Sequence, residues 1–272
     1  MRLSIPGFDL ALTAESGQCF RMRSLGENRW RVIAFGRALE IADLGENVFL
    51  FDCSPQEFDT LWRDYFDLET DYHQICSLVG PEDGYLYEAA CFARGLRILR
   101  QEPFETLISF IISQRKSVGA IRFSVERLCQ AFGAEFALGL YAFPTPQALA
   151  EASLDQLLAC SLGYRAKYIK GAARMIHEGR PDLDALHPLD DQALLDALLP
   201  LPGVGVKVAN CVMLFAYHRM DAFPVDVWID RVLASEFPGG FPFERFPGVS
   251  GVLQQHLFCY ARSGGSNKLV KK

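Results

Sequence analysis

The segment Leu199-Pro200-Leu201-Pro202-Gly203-Val204-Gly205-Val206-Lys207-Val208-Ala209-Asn210 sets one lysine among apolar and small residues. An amine is a nucleophile only in its uncharged form, and two features favour that form. The spacing predicts a helix from about Val206 to Tyr217, with Lys207 in its first turn, where the helix dipole opposes a cation. Val204, Val206 and Val208 desolvate it further. Such a lysine suits attack on carbon and Schiff-base formation; an exposed lysine resting on a phosphate is the other reading. Nineteen residues later, Phe223-Pro224-Val225-Asp226-Val227 supplies a carboxylate. The intervening helix carries the chain about 15 Å away, and a turn at His218 to Ala222 with an extended return brings Asp226 back. There it steadies an oxocarbenium ion and takes part in proton transfer. Capping its own helix, Val227 to Glu236, is compatible with that role.

Helix, Leu-Pro-Gly-Val-Gly, helix is a helix–hairpin–helix pattern. Gly203 and Gly205 let the backbone turn sharply and approach a partner. The second helix then points free N–H groups and a partial positive charge outward, a cradle for a phosphate of the DNA backbone that reads no base. An ordinary tight turn between helices has the same residues.

Elements must hold these groups in place. Residues 1 to about 75 read as a small antiparallel sheet with one or two helices: Arg29–Phe35 and Ala38–Ile41 flank a Gly36-Arg37 turn, Asn47–Asp52 is a further strand, and Ser54-Pro55 opens a helix. From about residue 85 the pattern is helical. Phe104–Ser113 is a buried helix, Val118 to Phe132 repeats at helical spacing, and Gln114-Arg115-Lys116-Ser117 is a polar break between them. Thr145 and Ser153 cap two short helices, Gly163 precedes a helix from Tyr164 to Glu178 closed by Gly179, Asp190 or Asp191 caps one to Leu199, and a last helix covers Val249 to Arg262. The tail SGGSNKLVKK is expected to be loose. The fold class is α+β: an antiparallel α+β subdomain over 1–95, then a mostly helical region over 96–272.

With 272 residues, half of them apolar, the chain has material for a large core. No apolar run reaches membrane-spanning length, and the start MRLSIPGFDLALT lacks the parts of a signal peptide, so a soluble intracellular protein is expected, cytoplasmic or at the nucleoid if bacterial. Eight cysteines without a CxxC pair argue against a metal site or disulfide framework. The net charge of −6 is unevenly spread: residues 1–90 hold seven basic and sixteen acidic side chains, and residues 91–272 hold twenty and seventeen. The second part therefore permits a basic face, although solvated helix faces have the same composition.

With these residues in view, the chain resembles the 8-oxoguanine DNA glycosylase/AP lyase family of helix–hairpin–helix enzymes. The resemblance rests on GQCFRMR (17–23), LRILRQEPFETLISFIISQ (96–114), VERLCQAFG (125–133), FPTPQALA (143–150), LGYRAKYIKGAARMI (162–176), LPGVGVKVANC with PVDVW, and QQHLFCYAR (254–262), in that order. It implies that Lys207 attacks the sugar C1′ and that Asp226 is the catalytic aspartate, with a damaged base flipped out of double-stranded DNA. It implies that the Gly17 carbonyl meets the proton on N7 that distinguishes 8-oxoguanine from guanine, whose N7 is an acceptor. Gln254 then contacts the pairing edge, and Cys211 and Phe258 sandwich the ring. Tyr164 matches a wedge and Arg165 one of two arginines that donate to the orphaned cytosine. Gln114, Gly203 and Gly205 fall on the DNA side. A monomer without cofactor or metal suffices, and no iron–sulfur cluster is expected, since Cys259 alone lies near the C-terminus.

The chain departs from the family at three places. Ala120 stands where the second arginine is usual, Arg115 occupies the gap-filling position, and Trp228 replaces a histidine. Arg115, one turn earlier, is expected to replace the missing arginine; phosphate binding with relaxed choice of opposite base is the other reading. Bifunctional excision of oxidised purines competes with a monofunctional glycosylase for alkylated bases, a non-catalytic DNA-binding module and a Schiff-base enzyme for small carbonyls. The first needs an amine, the second does not, and the third leaves Asp226 unexplained.

Overall fold

A computed structural model describes residues 1–265; the expectation of a loose tail falls mostly on residues 266–272, outside the described ones. Five strands, β1 (Arg2–Ser4), β2 (Met22–Gly26), β3 (Arg29–Ala34), β4 (Arg37–Asp43) and β5 (Val48–Phe51), form an antiparallel sheet in the order β1-β5-β4-β3-β2. The β3–β4 turn is Phe35-Gly36, one residue earlier than the sequence suggested, and Ala34 pairs with Arg37. Both turn residues have positive φ, 53° and 66°, as a two-residue hairpin matched to strand twist requires. One face of the sheet buries Phe49, Phe51 and Trp30 against Phe8, Phe58, Trp62, Tyr65 and Phe66. Ser54 Oγ accepts from Glu57 N at 3.1 Å and Pro55 begins the helix, which continues through a wide turn at Phe58–Trp62 to Tyr65.

The second core is helical. Pro103–Ser113 buries every side chain from Thr106 to Ile112. It packs against Val118–Phe132, Arg165–His177 and Val206–Phe215. Each fully buried Leu or Ile contributes about 1.5–3 kcal/mol, so this helix is a rigid support for what lies at its C-terminal end. Two short helices that the sequence reading passed over, Tyr72–Ser77 and Tyr85–Phe92, send Tyr72, Ile75, Leu86, Ala89 and Ala90 into the same core. Tyr85–Phe92 lies along Ser250–Arg262, where the Tyr260 ring sits 5.1 Å from Tyr85 and 5.6 Å from Phe92. Ser117, Thr145, Ser153, Asp190 and Asp226 cap their helices through side-chain oxygens.

Buried polar groups join the two cores. Gln18 Nε2 donates to the Arg97 carbonyl, and its Oε1 accepts from Leu99 N, both at 2.8 Å. Gln101 donates from Nε2 to the Gln18 carbonyl and from its backbone N–H to Phe215, again at 2.8 Å. Asp67 accepts from Arg100 Nη2 at 2.9 Å, Tyr72 Oη at 2.7 Å and His218 Nε2 at 3.2 Å. Among the described residues no helix is long and apolar enough to cross a membrane.

Candidate active site

The turn before the lysine helix Val206–Phe215 requires glycine at one position. Gly203 has φ +83°, and a Cβ there would stand 2.8 Å from Tyr168 Cβ. Gly205 differs. Its φ of −104° and ψ of 179° are extended, and open space surrounds it. As the N-cap it offers no side-chain acceptor, so the first N–H groups of the helix lack the usual cap.

Lys207 projects from this first turn, half-buried, with Nζ 5.0 Å from the Phe110 ring centroid. One turn on, Cys211 is buried against it; burial pushes the thiol above its ordinary value, while the Lys207 ammonium pulls the other way. Asn210 reaches sideways. Its Nδ2 donates to the Val206 carbonyl at 2.9 Å and its Oδ1 accepts from Phe223 N at 3.0 Å. Gln254 Nε2 donates to the next carbonyl, Pro224, at 2.8 Å. Two side-chain amides thus fix the segment that delivers Asp226. Asp226 Oδ1 accepts from Trp228 N at 3.0 Å and Ile229 N at 2.9 Å. Its other oxygen has no hydrogen-bond donor among the described residues, so capping leaves that oxygen for chemistry.

Lys207 and Asp226 line one cavity of about 330 Å³, with Gly17, Phe20, Phe110 and Phe258. Lys116, Trp228 and Arg262 complete much of its wall. A larger cleft of about 670 Å³, beside Arg100, His177 and His218, holds neither Lys207 nor Asp226. The smaller cavity is the candidate site, because it joins the lysine to a carboxylate. Gly17 has φ +80°, and a Cβ on it would stand 3.3 Å from the Phe258 ring. The Gln18 hydrogen bonds hold its loop. Two expected wall residues are not on the wall. Cys211 is closed over at 2 % exposure, and Gln254, also 2 % exposed, commits its amide to Pro224 and Gln255. Gln254 is therefore a buried residue and not a surface one.

The polar break at 114–117 is a braced turn. Gln114 Nε2 donates to the Gly203 carbonyl at 2.9 Å, linking it to the hairpin. Lys116 Nζ donates to the Ser161 carbonyl at 2.6 Å and to Ser124 Oγ at 2.5 Å. Burial and the nearby Arg165 lower the Lys116 ammonium from its ordinary value. Arg165 is itself buried, at 6 % exposure. Its Nε donates to the Gln114 carbonyl at 2.9 Å, Nη2 donates to the same oxygen, and Cζ lies 4.4 Å over the Tyr164 ring. Arg115 stands at the apex with φ +53° and is exposed. Tyr164, next to Arg165 in the chain, is exposed and stands edge-on to Tyr168 at 6.0 Å.

Sequence reasoning missed Asn210, Gln18, Phe110, Lys116, Tyr168 and Arg262. Asn210 carried a readable signal, since a polar amide between Ala209 and Cys211 in an apolar helix needs partners. Gln18, beside Gly17, carried the same one once buried. Arg262 carried none, because an arginine at a helix end is ordinary.

Comparison with known proteins gives the family. Residues 108–237 match the model of the HhH-GPD superfamily of base excision DNA repair proteins, and residues 1–107 match the 8-oxoguanine DNA glycosylase N-terminal domain. A probable N-glycosylase/DNA lyase of Methanothermobacter thermautotrophicus is 30% identical, with 97% of each chain covered. The 8-oxoguanine glycosylase/lyase of Clostridium acetobutylicum, solved with double-stranded DNA containing cytosine opposite 8-oxoG, is 34% identical with a TM-score of 0.87, covering 95% of this chain and 93% of that one. MBOgg1, solved with a low-affinity DNA ligand, is 37% identical with a TM-score of 0.88 over the same shares. The fold is that of a helix–hairpin–helix DNA glycosylase, and this chain belongs to the 8-oxoguanine glycosylase/DNA lyase family.

Proposed function

We infer that the protein excises an oxidised purine, 8-oxoguanine foremost, from duplex DNA and then nicks the strand. Membership of its family makes it a DNA N-glycosylase with lyase activity. The observation that carries the residue assignment is the shared cavity: Lys207, Asp226, Gly17 and Phe258 line one space.

In this reading, the base swings out of the stack into the cavity, because C1′ is out of reach inside the duplex. The hairpin glycines present backbone N–H groups to a phosphate, Tyr164 and Arg115 occupy the disturbed duplex, and Gln114 ties that turn to the hairpin. The Gly17 carbonyl accepts from the protonated N7 of the lesion and repels the lone pair of guanine N7. Phe258 packs on the ring; the family resemblance adds Cys211 and Gln254 as its further contacts. Lys207 Nζ forms a bond to C1′ while the C1′–N9 bond breaks and its electron pair leaves with the base. Asp226 stabilises the cationic sugar. The nitrogen passes its extra proton to the departing base, the sugar ring opens to a Schiff base, and loss of the C2′ proton expels the 3′ phosphate. No step needs a cofactor. We place the activity with the genome, inside the cell, as a monomer.

Arg115 takes the part of opposite-base reader, and Arg165 holds its turn in place. A monofunctional enzyme for alkylated bases is the weaker reading. The 3-methyladenine glycosylase of Archaeoglobus fulgidus shares the fold at 20% identity and a TM-score of 0.76, but activating water needs no lysine in the cavity. Borohydride in the reaction with an 8-oxoguanine duplex decides. A covalent protein–DNA adduct is expected, absent in Lys207→Gln; free base without an adduct would point to the monofunctional reading.

A further inference from the structure

Arg262 lies one turn beyond Phe258 on Ser250–Arg262, so the two side chains leave the same helix face. Its Cζ is 5.2 Å from the Phe258 ring centroid. Its Nη1 would be 3.4 Å from a Cβ built on Gly17, and the residue lines the cavity that holds Lys207 and Asp226. The one backbone bond it makes, Nη1 to the Glu15 carbonyl, is long at 3.4 Å. Among the described residues no carboxylate lies within ion-pair distance of it, although thirteen other ion pairs form. A guanidinium has five N–H donors in a fixed plane, so most of those on Arg262 stay available beside Gly17.

We propose that Arg262 donates to the carbonyl oxygen next to N7 of the flipped base and stabilises the negative charge the base acquires as the glycosidic bond breaks. This rests on the functional reading above. When the C1′–N9 bond breaks, the electron pair stays on the base and spreads over N9 and the ring carbonyls. O6 and O8 flank N7 in an 8-oxopurine. A donor held beside the carbonyl that meets N7–H therefore faces one of those oxygens. The Phe258 face places the guanidinium beside the site in advance, so it reorganises little as charge develops, and a preorganised donor favours the transition state over the ground state. The cavity then holds a separate group for each partner: the Lys207 amine for the sugar and the Arg262 guanidinium for the leaving base.

Single-turnover rates on two substrates test this, because a preformed abasic site contains no base. Arg262→Leu is expected to slow release of 8-oxoguanine about 10–100-fold. Nicking of an abasic-site duplex should stay within about twofold, as should the Kd for a tetrahydrofuran-site duplex, and these serve as the check on folding. Arg262→Lys should recover part of the loss, since a cation without the planar fork remains. Equal losses on both substrates would make Arg262 a backbone-phosphate contact and overturn the proposal, as would unchanged rates on both. A wild-type protein that nicks abasic sites but releases no oxidised purine would overturn the functional reading and this inference with it.

Discussion

Asn210 Oδ1 accepts the backbone N–H of Phe223 at 3.0 Å, and so ties the helix bearing Lys207 to the segment bearing Asp226. Lys207 and Asp226 are nineteen residues apart in the chain, yet their relative placement depends on this amide and on Gln254. Asn210→Ala should lower kcat for base release about 10–100-fold while Kd for duplex changes little, because positioning and not binding is lost. Asn210→Asp keeps an acceptor for Phe223 and should retain more activity. Stability should fall by about 1–2 kcal/mol in the alanine variant, read by urea unfolding. A parallel loss of kcat and duplex affinity would show instead that the hairpin as a whole had moved.

The two hairpin glycines should respond differently. Gly203→Ala forces a Cβ into Tyr168 at a φ of +83°. It should be destabilised by about 1–3 kcal/mol and bind duplex more weakly. Gly205→Ala meets open space at an extended φ and should be nearly neutral for stability. Thermal melting and a salt titration of duplex binding separate them, and equal destabilisation would contradict the geometry.

Arg115 and Arg165 should likewise separate. Arg115 is exposed, so Arg115→Ala should leave stability unchanged while altering the ratio of excision opposite C, A, G and T. An unchanged ratio would end its assignment as the reader. Removing Arg165 leaves the Gln114 carbonyl without its donor. Arg165→Ala should lose about 1–3 kcal/mol, and excision opposite all four bases should slow together.

Asp67 makes acid stability predictable. Burial alone raises its carboxyl, but hydrogen bonds from His218 and Tyr72 overcome that and hold it well below the ordinary carboxylate value. Its folded pKa is thus below its unfolded one, about 3.9. The stabilisation is complete above that unfolded value and is lost as pH falls toward the folded one. Asp67→Asn should be less stable at pH 7 by about 3–5 kcal/mol, since Arg100 loses its buried partner. Its unfolding midpoint should also fall less steeply than that of wild type between pH 4 and pH 2. Parallel pH profiles would remove Asp67 from the account.

Local chemistry explains which parts of this structure the sequence disclosed. Side-chain caps made the helix starts at Ser54, Thr145, Ser153, Asp190 and Asp226 legible, because each cap signal is contained within four residues. The strand β2 was not legible, since it buries Met22 alone and shows no alternation. Nor were the short helices Tyr72–Ser77 and Tyr85–Phe92; the face of the second is defined by partners more than a hundred residues away along Ser250–Arg262. In the site, Lys207 and Asp226 announced themselves by type and setting. The groups that hold them did not: Asn210 and Gln254 reveal their task only when Phe223 and Pro224 are placed beside them. Arg165 looked like a free donor until its fold context closed over it.

The sulfur beneath Lys207 has a consequence for survival under oxidative stress, the condition that produces this enzyme's substrate. Peroxide attacks thiolates that solvent can reach. Cys211 is sealed from solvent and kept protonated by its surroundings, whereas Cys91 is open at the surface. A catalyst built this way tolerates the same chemistry it repairs, and a peroxide pulse would mark it first at position 91, far in sequence from the amine at position 207.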